Sequence, residues 1–181
     1  MPKHHVLLVT GGARSGKSRF ALARALTYKR RVFLATAIAF DDEMKDRIAR
    51  HRDERRDTFT TVEEPLRVAD AIRGITQPCD VVLLDCLTVW LGNLMHHHGT
   101  NNESYPETAA LLDLLNAPPC NLILVTNEVG MGIVPENPMA RAFRDLAGTV
   151  NRQVAERADE VVLVTCGLPL TIKDKAEIRS S

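Results

Sequence analysis

Eight consecutive residues near the start of the chain, Gly11, Gly12, Ala13, Arg14, Ser15, Gly16, Lys17 and Ser18, carry the spacing G-x-x-x-x-G-K-S. That is a complete P-loop. Its glycines let successive backbone N–H groups curl around phosphate oxygens, Lys17 adds a point charge, and the Ser18 hydroxyl suits the magnesium ion of a nucleotide. The expected chemistry is binding of a nucleoside triphosphate, with Lys17 stabilising the charge on a phosphoryl group in transit. The other nucleotide fingerprint, G-x-G-x-x-G, is absent, which disfavours a dinucleotide Rossmann site.

Asp85 ends the apolar run VVLLD. In P-loop proteins a carboxylate at the tip of a neighbouring strand commonly completes the magnesium site, so Asp85 joins Ser18 as an expected metal ligand. Thr88 nearby either binds ligand through its hydroxyl or simply opens a helix. In Asp41 to Arg56, the residues Arg47, His51 and Arg55 recur at i, i+4 and i+8 and share one helical face, with Met44 and Ile48 marking the buried side. A charged surface helix explains this equally well. The sharper reading is that the two arginines neutralise a polyphosphate and keep His51 neutral, and a neutral imidazole is a nucleophile at phosphorus. Asp41 or Asp42 is placed to cap this helix.

The stretch Thr126 to Asn137 (TNEVGMGIVPEN) follows the run NLILV directly, where the end of a parallel strand opens onto a ligand crevice. Glu128 within it is a candidate base or water-positioning carboxylate. The alternative is an ordinary connection to a helix beginning near Met139. His96, His97 and His98 invite a metal reading, but adjacent histidines point in different directions and have no carboxylate or cysteine companions in the pattern.

The elements that must position these groups are legible as alternating patterns. Strand-like runs recur at Val6 to Thr10, Val32 to Ala35, Val81 to Asp85, Leu122 to Thr126 and Val161 to Val164, separated by helical periodicity. This predicts an α/β fold with a mainly parallel central sheet flanked by helices. Thr58 to Glu63 reads as an additional edge strand. The clearest helix covers Phe143 to Ala158, with Phe143, Leu146, Ala147, Val150 and Val154 on one stripe. The polar segment His96 to Pro106 reads as an exposed, mobile loop between helices.

With 181 residues, the chain is expected to form a single catalytic domain over 1–181, with about 174–181 a frayed tail. Lys plus Arg (23) balances Asp plus Glu (23), which removes the electrostatic argument for nucleic acid or an anionic membrane as a partner. Cys79, Cys86, Cys120 and Cys166 are far apart and lie in or beside apolar runs. They read as buried free thiols of a cytoplasmic protein. No stretch has the 18 or so apolar residues needed to span a bilayer, and no secretory signal pattern opens the chain.

Taken together, GGARSGKS, DDEM with RIxxHxxxR, LLDCLT, TNEVGMGIVPEN and RxFRDLAGxVNxxVAxxAD resemble the bifunctional adenosylcobinamide kinase / adenosylcobinamide-phosphate guanylyltransferase family of cobalamin biosynthesis. The resemblance runs from Val6 to about Lys173. It implies a P-loop NTPase fold of RecA-like type, assembly as a homotrimer, Mg2+ as cofactor, and ATP and GTP as substrates alongside adenosylcobinamide and its phosphate. By the same resemblance His51 matches the histidine that becomes guanylylated, Gly11 to Ser18 bind nucleotide phosphates, and Glu63 and Asp85 fall where the family contacts nucleotide or metal. Arg47 and Arg55 are then placed to hold the triphosphate in line. Position 50 is arginine, so His51 is the segment's lone histidine. Two other readings stand beside this one: a P-loop small-molecule kinase of another pathway without guanylyl transfer, and a nucleotide-binding regulatory protein.

Overall fold

The computed structural model describes residues 4–38, 58–100 and 104–175. A seven-stranded sheet organises them, in the order β3-β2-β4-β5-β1-β6-β7. Its strands are β1 (Val6–Thr10), β2 (Arg31–Ala35), β3 (Thr60–Glu63), β4 (Val81–Asp85), β5 (Asn121–Val125), β6 (Glu160–Thr165) and β7 (Leu168–Asp174). The first six run parallel, and β7 is antiparallel to β6. The expected mainly parallel α/β fold is therefore present. β5 is interposed between the P-loop strand β1 and the Asp85 strand β4.

The near-continuous apolar strands follow from burial on both faces. Alternate side chains go to two separate cores. Val6, Leu8, Val82, Leu84, Leu122 and Leu124 pack on one face with Trp90, Leu91, Leu111, Val150 and Val154. Leu7, Val9, Val81, Leu83, Ile123 and Val125 pack on the other with Ala21, Ala25, Phe33 and Phe59. The second face is covered by α1 (Lys17–Ala25). The first carries α2 (Val68–Arg73), α3 (Leu87–His98), α4 (Pro106–Asn116) and α5 (Pro138–Arg157). Trp90 is fully buried, and its indole N–H donates to the Leu66 carbonyl at 2.7 Å, so the largest core residue also satisfies its polar atom.

α5 begins where its chemistry demands. Asn137 Oδ1 accepts from the N–H groups of Met139 (2.8 Å) and Ala140 (3.2 Å), and Pro138 occupies the first helical position. Leu146, Ala147, Val150 and Val154 form the buried stripe.

Three expectations need correction. His96–His98 do not belong to an exposed loop: they are the last turn of α3, where His98 Nε2 donates to Glu107 (3.0 and 3.1 Å) and its ring stacks on Tyr105. Tyr105 is buried and gives its O–H to the Gly99 carbonyl at 2.8 Å, so a polar sequence context concealed a core residue. Cys166 is exposed, because it lies in the tight turn between β6 and β7, with φ of 51° at Cys166 and 80° at Gly167. Positive φ at both central residues is the twist-matched hairpin turn. The strand this turn introduces, β7, was not anticipated. Asp174 completes it, and the backbone N–H of Lys175 donates to the Asp159 carbonyl at 2.9 Å.

Candidate active site

Of the residues singled out by sequence, Gly11 to Ser18, Glu63, Asp85 and Glu128 lie at the carboxyl ends of the parallel strands, and strand register shows how. Glu63 of β3 is opposite Ala35 of β2, Ala35 is opposite Asp85 of β4, Asp85 is opposite Val125 of β5, and Val125 is opposite Val9 of β1. One row across the sheet thus holds both carboxylates and the residue two positions before Gly11. With strands about 4.8 Å apart, Asp85 lies two strands, roughly 10 Å of backbone, from each of Glu63 and the root of the P-loop. This edge is where ligands bind in open α/β sheets.

The loop Gly11–Gly16 leaves β1 and enters α1 through a backbone that only its residue types permit. Gly11 has φ 154°, and a Cβ there would lie 2.3 Å from the Val164 carbonyl oxygen. Gly16 has φ 96° as the residue before α1, and Arg14 at the exposed tip has φ 56°. The loop is braced from beneath by the hairpin turn, since Gly167 N–H donates to the Ser15 carbonyl at 2.9 Å. Lys17 is buried, and its Nζ donates to the Gly12 carbonyl at 3.0 Å. Ser18 is exposed at the start of α1, whose first turn contains no acidic residue to compete for its positive end.

Buried polar atoms without partners collect at this same place. Thr10 Oγ1, Ser15 Oγ and Asn127 Oδ1 are three of the four such atoms among the described residues, and all three flank or belong to the loops that leave β1 and β5. Buried polar groups are nearly always paired, so this clustering marks where an external hydrogen-bonding group fits. The charges converge there as well. The Cys86 thiol is pushed up first by burial, then by the adjacent Asp85 carboxylate, and is drawn down by Lys17. Lys17 and Asp85 therefore both lie within electrostatic reach of one buried sulfur. Ser18 and Asp85 offer the hard oxygen donors that suit magnesium.

The loop after β5 is fixed by a relay of hydroxyls. Thr126 is buried and its O–H donates to Asn151 Oδ1 at 2.8 Å, so the 3.3 Å contact between Thr88 and Thr126 has Thr88 donating. Thr88 in turn accepts from Asn127 N–H at 2.7 Å, and Asn151 Nδ2 donates to the Asn127 carbonyl at 3.2 Å. Glu128 N–H donates to the Gly11 carbonyl at 3.1 Å, tying this loop to the P-loop, and its carboxylate accepts from Gly130 N–H at 2.9 Å. Thr88 thus serves as a brace between α3 and the loop. Asn151 was present in the sequence only as a letter of the family motif, and its role was not legible, because what a helical asparagine does depends on the partner it reaches.

Arg47, His51 and Arg55 lie outside the described residues, as do Asp41 and Asp42.

The family model for cobinamide kinase / cobinamide phosphate guanyltransferase matches residues 7–172. The bifunctional adenosylcobalamin biosynthesis protein CobU of Escherichia coli strain K12 is 41% identical over 180 residues, covering 93% of this chain and 99% of the relative. The bifunctional adenosylcobalamin biosynthesis protein CobP of Pseudomonas aeruginosa is 41% identical over 167 residues, covering 92% and 96%. A solved structure from Pyrococcus horikoshii OT3 is similar in fold alone, with a TM-score of 0.52 at 7% identity over 94% of this chain and 86% of that one. The match spans β1 through most of β7 and takes in the P-loop, the strand ending at Asp85, the loop after β5 and α5. The chain belongs to the cobinamide kinase / cobinamide phosphate guanyltransferase family.

Proposed function

We propose that the protein phosphorylates adenosylcobinamide with ATP or GTP and then transfers GMP from GTP to adenosylcobinamide phosphate through a GMP–histidine intermediate, giving adenosylcobinamide-GDP. The observation that carries this reading is family membership over residues 7–172, and the orphaned polar atoms around the P-loop support it.

In the kinase reaction Gly11 to Ser18 hold the nucleotide phosphates. The Lys17 ammonium exchanges the Gly12 carbonyl for phosphate oxygens as the γ-phosphoryl group passes to the hydroxyl of the aminopropanol arm. Ser18 and Asp85 hold magnesium, which when bound neutralises charge on the phosphate oxygens. Glu63, in the same row at the sheet edge, contacts nucleotide or metal.

In the second reaction an imidazole nitrogen of His51 bonds to the α-phosphorus of GTP as the bond to pyrophosphate breaks. An oxygen of cobinamide phosphate then attacks that phosphorus, the P–N bond breaks, and the imidazole is regenerated. One difficult displacement becomes two easier ones. Arg47 and Arg55, four residues to either side of His51 in sequence, steady the triphosphate.

The protein is expected to work in the cytoplasm, in keeping with four free cysteines, and no described helix is long and apolar enough to cross a membrane. Homotrimeric assembly is part of the same reading. Leu168, Leu170 and Ile172, exposed on one face of the edge strand β7, supply apolar surface for a second copy.

The test is incubation with GTP labelled at the α-phosphate, followed by denaturation. Acid-labile label on the wild-type protein, lost in His51→Ala, is the expected result. Absence of label on the wild type overturns guanylylation and returns the chain to a kinase of narrower chemistry.

A further inference from the structure

Beside the P-loop, between the loop that follows β5 and the outer face of α5, lies an open crevice of about 550 Å³ lined by Gly130, Gly132, Val134, Arg144, Gly148 and Arg152, among others. The Glu128 to Gly11 hydrogen bond ties the loop that forms one wall of this crevice to the P-loop.

Gly148 is the informative residue. It lies in the interior of a 20-residue helix, where glycine is destabilising relative to alanine. Neither backbone nor packing requires it: its φ is not positive, and a Cβ built there meets nothing within 4 Å. Gly132 across the crevice has the same properties, so both walls lack side chains that the fold has room for. Arg144 and Arg152 flank Gly148 one turn to either side. Their partners are Asp145 and Glu156, solvent-screened pairs of the kind that contribute little, so both guanidiniums can be redirected to a ligand at little cost. Met131, Ile133 and Val134 form an exposed apolar rim; Ile133 is 96% exposed.

Walls without side chains at Gly148 and Gly132, guanidinium donors one turn to either side of Gly148 and an apolar rim fit a broad, planar, amphipathic molecule fringed with hydrogen-bond acceptors. Resting on the proposed function, we infer that this crevice seats the corrin ring of the cobinamide substrate. Gly148 and Gly132 let the macrocycle lie close to the backbone. Arg144 and Arg152 donate to its peripheral amide carbonyls, and the rim covers its apolar face. The second substrate thereby reaches the phosphates from the α5 side of the sheet edge.

Gly148→Leu fills the crevice with a strong helix former, so the helix itself is not weakened. Its KM for adenosylcobinamide phosphate is expected to rise at least about tenfold, while GMP labelling of the protein by GTP alone, which involves no corrinoid, stays at the wild-type rate. Arg152→Ala should raise the same KM by a smaller factor, again without affecting labelling. An unchanged corrinoid KM in Gly148→Leu overturns the inference while leaving the proposed function standing. So does a change in oligomeric mass with the KM unmoved, which would make the crevice a seam between copies. Failure of the wild type to label tells against the proposed function itself, and is read separately.

Discussion

Thr36 and Cys86 exchange two hydrogen bonds across the sheet edge: the Thr36 hydroxyl donates to the Cys86 carbonyl at 3.0 Å and accepts from the Cys86 N–H at 3.1 Å. Thr36 is fully buried, and its own carbonyl accepts from Asn93 Nδ2 at 2.7 Å, an amide that also donates to the Pro65 carbonyl. One threonine thus joins the ends of β2 and β4 to α3 beside Asp85. Thr36→Val keeps the shape but strands the buried Cys86 N–H and leaves the Cys86 carbonyl with only the Trp90 N–H as donor. The expected cost is about 1–3 kcal/mol. A lowered urea midpoint with an unchanged slope checks it, and Thr36→Ser should restore most of the loss.

Gly11 cannot carry a side chain. In Gly11→Ala the new methyl would lie 2.3 Å from the Val164 carbonyl oxygen and 2.7 Å from Ser15 Oγ, at a φ that L-residues rarely adopt. Because β6 is locked between β1 and β7, the loop must yield. Nucleotide affinity should fall at least about tenfold with the far-UV circular dichroism unchanged, measured by calorimetric titration with a non-hydrolysable GTP analogue.

The P-loop was legible because phosphate binding constrains residue type at fixed spacing, and the parallel strands because burial on both faces leaves apolar runs. β7 was not, since Leu168, Leu170 and Ile172 alternate with Pro169, Thr171 and Lys173 on an edge whose pairing partner no local pattern reveals. Tyr105 was hidden among polar neighbours because its burial depends on the turn that brings it against His98. Gly148 was visible only as one letter of a family motif, because the use of a helical glycine becomes legible only once the space around it is known.

Arg30 and Asp80 predict a pH dependence. The Asp80 carboxylate accepts from the Arg30 guanidinium and, at 2.9 Å, from the Arg30 backbone N–H, and is held down at about 2. Its ordinary value is about 3.9. The folded state therefore binds this proton less readily than the unfolded chain, and the pair's stabilisation is present above pH of about 4 and lost as pH falls through about 2. Stability profiles of wild type and Asp80→Asn should run parallel above pH 5 and converge below pH 4. Profiles that stay parallel down to pH 2 would show that the pair does not contribute.

The four cysteines should react in order of access. Cys166 is exposed in its hairpin turn, Cys79 is half-buried, and Cys86 and Cys120 are buried. The Cys120 thiol is pushed up by its hydrogen bond with Cys79 and by burial, whereas Cys79 is lowered by the same contact. With an aromatic disulfide reagent, one equivalent should react fast and be absent in Cys166→Ser, a second should follow more slowly, and the last two should require denaturant. Simultaneous release of all four from native protein would contradict the burial pattern.

Lys17 decides whether a single phosphate cradle serves both reactions. Its ammonium is buried, donates to the Gly12 carbonyl, and acts on the same buried thiol as Asp85. A charge so placed meets the phosphates of whatever nucleotide occupies the loop, whether the γ- or the α-phosphorus is attacked. Lys17→Ala should therefore slow both phosphorylation of adenosylcobinamide and GMP labelling at His51 by about a hundredfold or more, the scale for removing one preorganised electrostatic contact. Parallel assays with γ- and α-labelled GTP read the two rates on one preparation. If labelling survives while phosphoryl transfer is lost, the guanylyl donor binds elsewhere, and guanylylation of His51 would need a second nucleotide site of its own.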